Sequence, residues 1–219
     1  MLKNDKLNIR FEWRNPLTYT SFQSLAALAA ITRHGFNVYP VLIFTSLLCV
    51  LFQLEPVQAW VVWDKNAIAD GQWWRILTGN FSHTNYLHLL MNLAGLWIIS
   101  YLFQPNKKQL LSALLFISLV TGFALLLSSI QIYVGLSGTL HGLFGLFALN
   151  EALSGRKSSW LLVLGLIAKI ACEQLVGPSS TTGELINARV AIEAHLAGAL
   201  AGGFMAVVLF ITDRKTNQS

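Results

Sequence analysis

The sequence predicts an all-α membrane protein, a bundle of six transmembrane helices with both termini in the cytoplasm. Hydrophobic residues make up 54% of the 219 residues and charged residues only 11%, which is more apolar surface than a soluble domain of this size can bury. Six stretches without clustered charge are predicted to cross about 30 Å of hydrocarbon as helices. They cover residues 39–54, 86–103, 109–130, 137–153, 159–176 and 190–211.

The same pattern divides the chain into three parts. Residues 1–38 are polar and basic and are predicted to form a cytoplasmic or interfacial N-terminal arm, in which residues 20–33 form either an interfacial helix or an unstructured segment. Residues 39–211 form the six-span domain, and residues 212–219 form a cytoplasmic tail. Because the arm lacks the apolar core and cleavage site of a signal peptide, we expect the first span to act as an uncleaved anchor.

The positions of the 15 Lys and Arg residues predict the orientation, because basic residues in short loops stay cytoplasmic. Only Lys65, Arg75 and Arg189 fall on the opposite side, and Lys169 lies within a span. The net charge of +5 is explained by this topology and by attraction to anionic lipid head groups, so it is no evidence for a nucleic-acid partner. The cytoplasmic set consists of Lys3, Lys6, Arg10, Arg14, Arg33, Lys107, Lys108, Arg156, Lys157, Arg214 and Lys215.

Polar side chains at one depth are the most informative feature, since ionisable groups within a span are costly and usually serve a purpose. Ser137 opens the fourth span, and His195 lies roughly 7 Å into the sixth at 1.5 Å per residue. His88 and Asn92 lie roughly 3 and 9 Å into the second span and share one helical face, so both can donate hydrogen bonds toward one point. The turn-forming block at residues 177–183 is predicted to cover this region as a mobile cap on the outer side.

Small residues at intervals of three or four predict close contact between the fourth and sixth spans. Such contact would bring the Ser137 hydroxyl within hydrogen-bond reach of the His195 imidazole, and a seryl nucleophile needs such a base beside it. The alternative is that the glycines only tighten the bundle and Ser137 caps a helix. For Ser137 alone, a role as a helix cap is the favoured interpretation. For the four polar residues together, a functional site is favoured. The small residues are Gly138, Gly142, Gly145, Ala194, Gly198 and Gly202.

Four segments resemble signatures of the rhomboid family of intramembrane proteases. Residues 135–138 (Gly-Leu-Ser-Gly) resemble its nucleophile motif, and residues 194–198 (Ala-His-Leu-Ala-Gly) resemble its histidine motif. Residues 83–92 resemble its signature of two histidines and an asparagine, and Trp74-Arg75 resembles a pair found in its first loop. The resemblance covers roughly residues 39–211 and implies a rhomboid helical bundle with serine endopeptidase activity.

The resemblance also implies roles for individual residues. Ser137 corresponds to the nucleophile and His195 to its general base. The oxyanion donors correspond to the backbone N–H of Ser137 and the side chains of His88 and Asn92. No cofactor and no metal is implied.

Four further residues are expected to surround this site: Gly135, Gly138, His83 and His141. Many rhomboids carry a bulky aromatic residue where this chain has His141. That side chain could stack on His195, form a hydrogen bond within the site or compete as a base, and a packing or supporting role is favoured because it lies deeper than Ser137.

The sequence predicts a Ser-His dyad, because no carboxylate is evidently placed to orient His195. Glu193 is only two residues away and points to another face of the helix. Lys169 and Glu173 lie at i and i+4 on the fifth span, so a mutual salt bridge with a structural role is the default expectation. The alternative is that this pair lines the side through which a substrate enters.

Within the family the closest resemblance is to the rhombosortases, bacterial members with a minimal six-span core. It is carried by residues 133–138 with 140–142, by Ala168-Lys169 with Glu173-Gln174, and by residues 190–195. The resemblance implies membrane-anchored substrates with a C-terminal tail of a Gly-Gly motif, a hydrophobic helix and a basic end. It also implies a multi-pass protein of the bacterial inner membrane whose active site opens to the periplasmic side.

The sequence is also compatible with two other functions. A metal-binding protease or transporter could use His83, His88, His141 and His195 as ligands, although the chain has no HExxH motif and no carboxylate on the second span. An inactive rhomboid-like scaffold would bind client helices without cleaving them.

Overall fold

The computed structural model describes residues 38–216 as ten α-helices and one pair of short strands. The predictions made for residues 1–37, including the interfacial helix, lie outside these residues. The helices are α1 (Tyr39–Leu51), α2 (Glu55–Val61), α3 (Lys65–Ala69), α4 (Arg75–Thr78), α5 (Tyr86–Phe103), α6 (Lys107–Ala124), α7 (Ser137–Leu153), α8 (Ser159–Val176), α9 (Ser180–Ile186) and α10 (Ile192–Thr216). Short 3-10 turns cover Gly79–Phe81 and Leu125–Leu127, and the strands are β1 (Trp63–Asp64) and β2 (Ile132–Tyr133).

Local sequence signals fix several helix ends. The Asn85 side chain accepts a hydrogen bond from the backbone N–H of His88 and so caps the start of α5. The Asn106 side chain and Gln109 form a reciprocal capping box at the start of α6. Between these caps, α5 ends at Gln104 in the left-handed conformation. Helices α5, α7 and α8 begin and end at the residues predicted for the second, fourth and fifth spans.

Residues 38–216 contain four or five candidate membrane spans. Among residues 38–216, four helical stretches are long and apolar enough to cross a membrane: α5, α6 with its following 3-10 turn, α8 and α10. Helices α1 and α2 meet at a bend of 103° and make a fifth if they count as one span. Helix α7 has 17 residues, and ten of them are buried. The structure is thus a multi-pass helical bundle, and six spans with cytoplasmic termini stay a prediction.

Helix α7 lies at the centre of the bundle and makes its most extensive contact with α10. A Cβ atom added to Gly138 would lie 2.8 Å from the carbonyl oxygen of Ala194, and one added to Gly142 would lie 2.5 Å from that of Gly198. Cβ atoms added to Gly198 or Gly202 would overlap the carbonyl oxygens of Gly138 and Gly142. The backbones of the two helices therefore touch along the predicted small residues.

The segment between α1 and α5 is folded rather than irregular. The buried guanidinium of Arg75 donates hydrogen bonds to the carbonyl oxygens of Val62 (2.7 Å) and Ala59 (2.8 Å) and to the Gln72 side chain. β1 pairs antiparallel with β2, with Trp63 opposite Tyr133. This pairing, which the sequence did not predict, holds the segment before Ser137 against the first loop.

Candidate active site

The side chains of Ser137 and His195 meet at the point where α7 and α10 begin. Ser137 is the first residue of α7, and His195 lies in the first turn of α10. Ser137 Oγ lies 2.9 Å from His195 Nε2, a hydrogen-bond distance. Because the two helices touch at their glycines, the two side chains can come this close, as the spacing of small residues predicted.

A carboxylate occupies the other side of the imidazole. Glu173 Oε2, on α8, lies 2.8 Å from His195 Nδ1, and both side chains are buried. The expectation that no carboxylate is placed to orient His195 is therefore wrong. The error came from considering only Glu193, which pairs instead with Arg189 at 2.6 Å, while the carboxylate comes from the neighbouring helix.

This arrangement determines which nitrogen of His195 carries the proton. An ionised carboxylate only accepts hydrogen bonds, so Nδ1–H donates to Glu173. The lone pair of a neutral ring is then on Nε2, which faces the hydroxyl of Ser137 and accepts its proton. The site has the geometry that nucleophilic catalysis by serine requires.

His141 stacks on His195. The ring centroids are 4.1 Å apart and the planes differ by 19°. Nδ1 of His141 donates to the carbonyl oxygen of Ser137 at 2.8 Å. This hydrogen bond within α7 holds the ring in place. Of the three roles considered for His141, the geometry matches stacking together with a supporting hydrogen bond.

Gly135 opens a space beside His88 and Asn92. Its φ of +126° is in the left-handed region, and an added Cβ would lie 2.9 Å from His88 Nε2 and 3.9 Å from Asn92 Nδ2. The Asn92 amide nitrogen is buried without a hydrogen-bond partner among the described residues, and such orphaned donors are rare in folded proteins. A donor and an imidazole therefore face a gap that only glycine leaves open.

Tyr133 holds Gly135 in place. Its hydroxyl donates to the carbonyl oxygen of Gly135 at 2.5 Å. Burial raises the pKa of Tyr133 well above its usual value, so the group stays a protonated donor. This hydrogen bond could not be predicted from the sequence, because it depends on the β1–β2 pairing.

His83 is fully buried just before α5 and contacts His88 edge-on, with ring centroids 5.0 Å apart. Burial, with a smaller contribution from the neighbouring His88, lowers the pKa of His83 to about 3. The ring is therefore neutral at physiological pH, and its edge-on contact helps to hold the His88 side chain in position.

A cavity of about 270 Å³ is lined by Ser137, His195, His88 and Asn92. Helix α9 begins within the block at residues 177–183 that was predicted to form a mobile cap, and it contributes Thr182 and Ile186 to the cavity wall. The Thr84 hydroxyl donates to the Ile186 carbonyl oxygen at 2.6 Å, and the Asn85 amide donates to that of Leu185 at 3.1 Å. The cap is thus a short helix fastened to the start of α5.

The geometry of the imidazoles does not suit a metal ion. Ligand atoms of His141, Glu173 and His195 lie within 4.8 Å of one another. However, ring nitrogens bind metals in the ring plane, and the His141 and His195 planes are stacked nearly parallel. One ion cannot lie in both planes, so these residues as placed do not fit a shared metal site.

Comparison with known proteins agrees with this geometry. The sequence profile of the Rhomboid domain matches residues 70–212. The putative rhomboid protease YdcA of Bacillus subtilis is 26% identical over an alignment of 203 residues, and the alignment covers 82% of this chain and 92% of that protein. The rhomboid protease GlpG of Salmonella newport is 29% identical over an alignment of 211 residues, which covers 91% of this chain and 71% of that protein. The chain therefore belongs to the rhomboid family.

Proposed function

We propose that this protein is an intramembrane serine endopeptidase in which Ser137 is the nucleophile and His195 the general base. The observation that carries the proposal is the 2.9 Å contact between Ser137 Oγ and His195 Nε2, near the Asn92 amide nitrogen that has no hydrogen-bond partner among the described residues. Similarity to named rhomboid proteases supports the same reaction.

The reaction begins with a substrate helix that enters from the side. An apolar groove of about 390 Å³ between α5 and α8 shares Leu140, His141 and Lys169 with the cavity that contains Ser137. A helical substrate that reaches the cavity along this groove must unwind there to expose a carbonyl group. This route supports the alternative considered for the Lys169–Glu173 pair, that it lines the side through which the substrate enters.

The chemistry then follows from the contacts. Ser137 Oγ bonds to the substrate carbonyl carbon while its proton passes to His195 Nε2. The resulting oxyanion accepts hydrogen bonds from His88, Asn92 and the backbone N–H of Ser137. Collapse of this intermediate breaks the peptide bond, the imidazolium gives its proton to the leaving amine, and water or another amine resolves the acyl-enzyme.

The substrate class in this proposal is the Gly-Gly-tailed proteins that the rhombosortase resemblance implies. Glycine destabilises a helix by about 1 kcal/mol relative to alanine, so a Gly-Gly segment opens easily. The active site then faces the periplasmic side of a bacterial inner membrane, in line with the eleven basic residues assigned to the cytoplasmic side. No nucleic-acid partner is proposed, and membrane lipids are the surrounding solvent.

A reporter experiment tests this substrate class. A secreted reporter with a Gly-Gly, hydrophobic, basic tail is co-expressed with the enzyme, and the new C-terminus is determined by mass spectrometry. We expect cleavage near the glycines, and little cleavage of a matched reporter with Leu-Leu in their place. Metal chelators should leave processing unchanged, which separates this function from a metalloprotease. Equal processing of both reporters, or of neither, contradicts the substrate assignment.

Asn92→Ala is expected to lower the rate constant of cleavage by about 100- to 1000-fold, the usual effect of losing one oxyanion donor. The amide nitrogen has no hydrogen-bond partner among the described residues, so its removal should cost little stability. Turnover of the reporter and thermal unfolding in detergent are measured together. Asn150→Ala, at the opposite end of α7, is the control. Unchanged turnover of Asn92→Ala contradicts the role in the oxyanion site.

A further inference from the structure

The carboxylate of Glu173 makes two directed contacts. Its Oε2 accepts from His195 Nδ1 at 2.8 Å, and its Oε1 accepts from Lys169 Nζ at 2.5 Å. The salt bridge expected from the i,i+4 spacing is therefore present, but it uses only one of the two oxygens. The second oxygen is committed to the imidazole that contacts Ser137.

The burial of Glu173 is unusual for its helix. Helix α8 is the least buried of the long helices and buries only Ser159, Ile170 and Glu173. A buried carboxylate is costly unless each oxygen has a good partner. The Lys169 side chain, which is 54% exposed, reaches back to supply one partner, and His195 supplies the other. A carboxylate held in this way has a fixed position and direction.

The simpler interpretation is that Glu173 only ties α8 to α10. That link already exists one residue later, where the Gln174 side chain donates to the carbonyl oxygen of Ile192 at 3.0 Å. A link between the two helices does not require the contact with His195. This contact is made at the ring nitrogen opposite the one that faces Ser137. It thereby fixes both the tautomer and the rotation of the ring.

We infer that Glu173 is the positioning residue for His195, completing a Ser137–His195–Glu173 triad, and that Lys169 holds its carboxylate in place. This inference rests on the proposed protease function. The two directed contacts of Glu173 are to Lys169 and His195, so it acts on the reaction through the imidazole. It keeps the Nε2 lone pair aimed at the serine hydroxyl and stabilises the imidazolium formed when Nε2 takes the proton.

The test uses a fluorophosphonate probe, which makes it independent of the substrate class. Ser137 Oγ bonds to the probe's phosphorus, fluoride leaves, and the hydroxyl proton passes to His195 Nε2. The full-length protein in detergent is labelled at increasing probe concentrations. The measurement yields the maximal labelling rate constant, the half-saturating concentration and the final labelled fraction.

For Glu173→Gln we expect the maximal rate constant to fall by about 100- to 10,000-fold, with the half-saturating concentration and the final labelled fraction unchanged. Glu173→Asp keeps the charge and should recover part of the rate. Lys169→Met, which leaves the contact with His195 intact, should give a smaller loss. The control is Glu193→Gln, a carboxylate two residues from His195 that pairs with Arg189, and it should label like wild type.

The outcomes separate this inference from the function on which it rests. If Glu173→Gln labels at the wild-type rate while Ser137→Ala takes no label, the positioning role is overturned and the protease function stands. A lower final labelled fraction with an unchanged rate constant indicates a purely structural role and also overturns the inference. If wild type takes no label, or Ser137→Ala labels equally well, the proposed function fails and the inference with it.

Discussion

Ser137→Ala and His195→Ala are each expected to abolish proteolysis, with a loss on the order of a million-fold when nucleophile and base act as one unit. Ser137 supplies the oxygen that attacks the substrate, and His195 Nε2, 2.9 Å away, removes its proton. Because neither residue works without the other, the double variant should be no worse than either single variant. The measurement is cleavage of a tailed reporter by purified protein in detergent or liposomes.

Ser100→Ala is the matched control for this prediction. Its hydroxyl is buried in α5 and has no hydrogen-bond partner among the described residues, so the same chemical change should leave activity intact. Activity that survives in Ser137→Ala would reject this serine as the nucleophile. A Ser137→Ala protein that binds but never cleaves clients, together with an equally inactive wild type, would favour an inactive scaffold.

Gly198→Leu is expected to prevent folding of the bundle and to remove all activity. Even the first carbon of a side chain at this position would overlap the carbonyl oxygen of Gly138, and a backbone atom cannot rotate out of the way. Helices α7 and α10 would have to separate along their whole contact. Overpacking of a core costs about 1–3 kcal/mol when side chains can adjust, and here we expect more.

Gly203→Leu is the control, because an added Cβ at Gly203 has no atom within 4 Å and the residue lies on the same helix. Both variants are compared by yield of monodisperse protein, unfolding temperature and labelling by a serine-reactive probe. We expect Gly203→Leu to match wild type in all three. A stable, active Gly198→Leu protein would contradict the close backbone contact between the two helices.

Hydropathy and motif spacing predicted the main helices and the meeting of Ser137 with His195. Long apolar stretches have little choice of structure in a membrane, so α5, α7 and α8 match their predicted bounds. Small residues at regular intervals then identified the helix pair that touches. The same information could not locate Glu173, because its approach to His195 depends on how α8 is rotated about its axis, which hydropathy does not determine.

Helix α9 could not be predicted from the sequence for a different reason. The block at residues 177–183 is rich in turn formers, yet α9 forms over Ser180–Ile186. The carbonyl groups at its C-terminal end, which have no partner within the helix, accept hydrogen bonds from Thr84 and Asn85. Helix formation there depends on docking to residues about a hundred positions away.

The Thr84 hydroxyl also has a second neighbour. It donates to the Ile186 carbonyl oxygen of the cap and lies 3.0 Å from Nδ1 of His88, whose other nitrogen faces the gap at Gly135. Lifting the cap breaks the bond to Ile186 and frees this hydroxyl to turn toward the imidazole. A single oxygen atom of Thr84 therefore couples the position of α9 to the hydrogen bonding of His88.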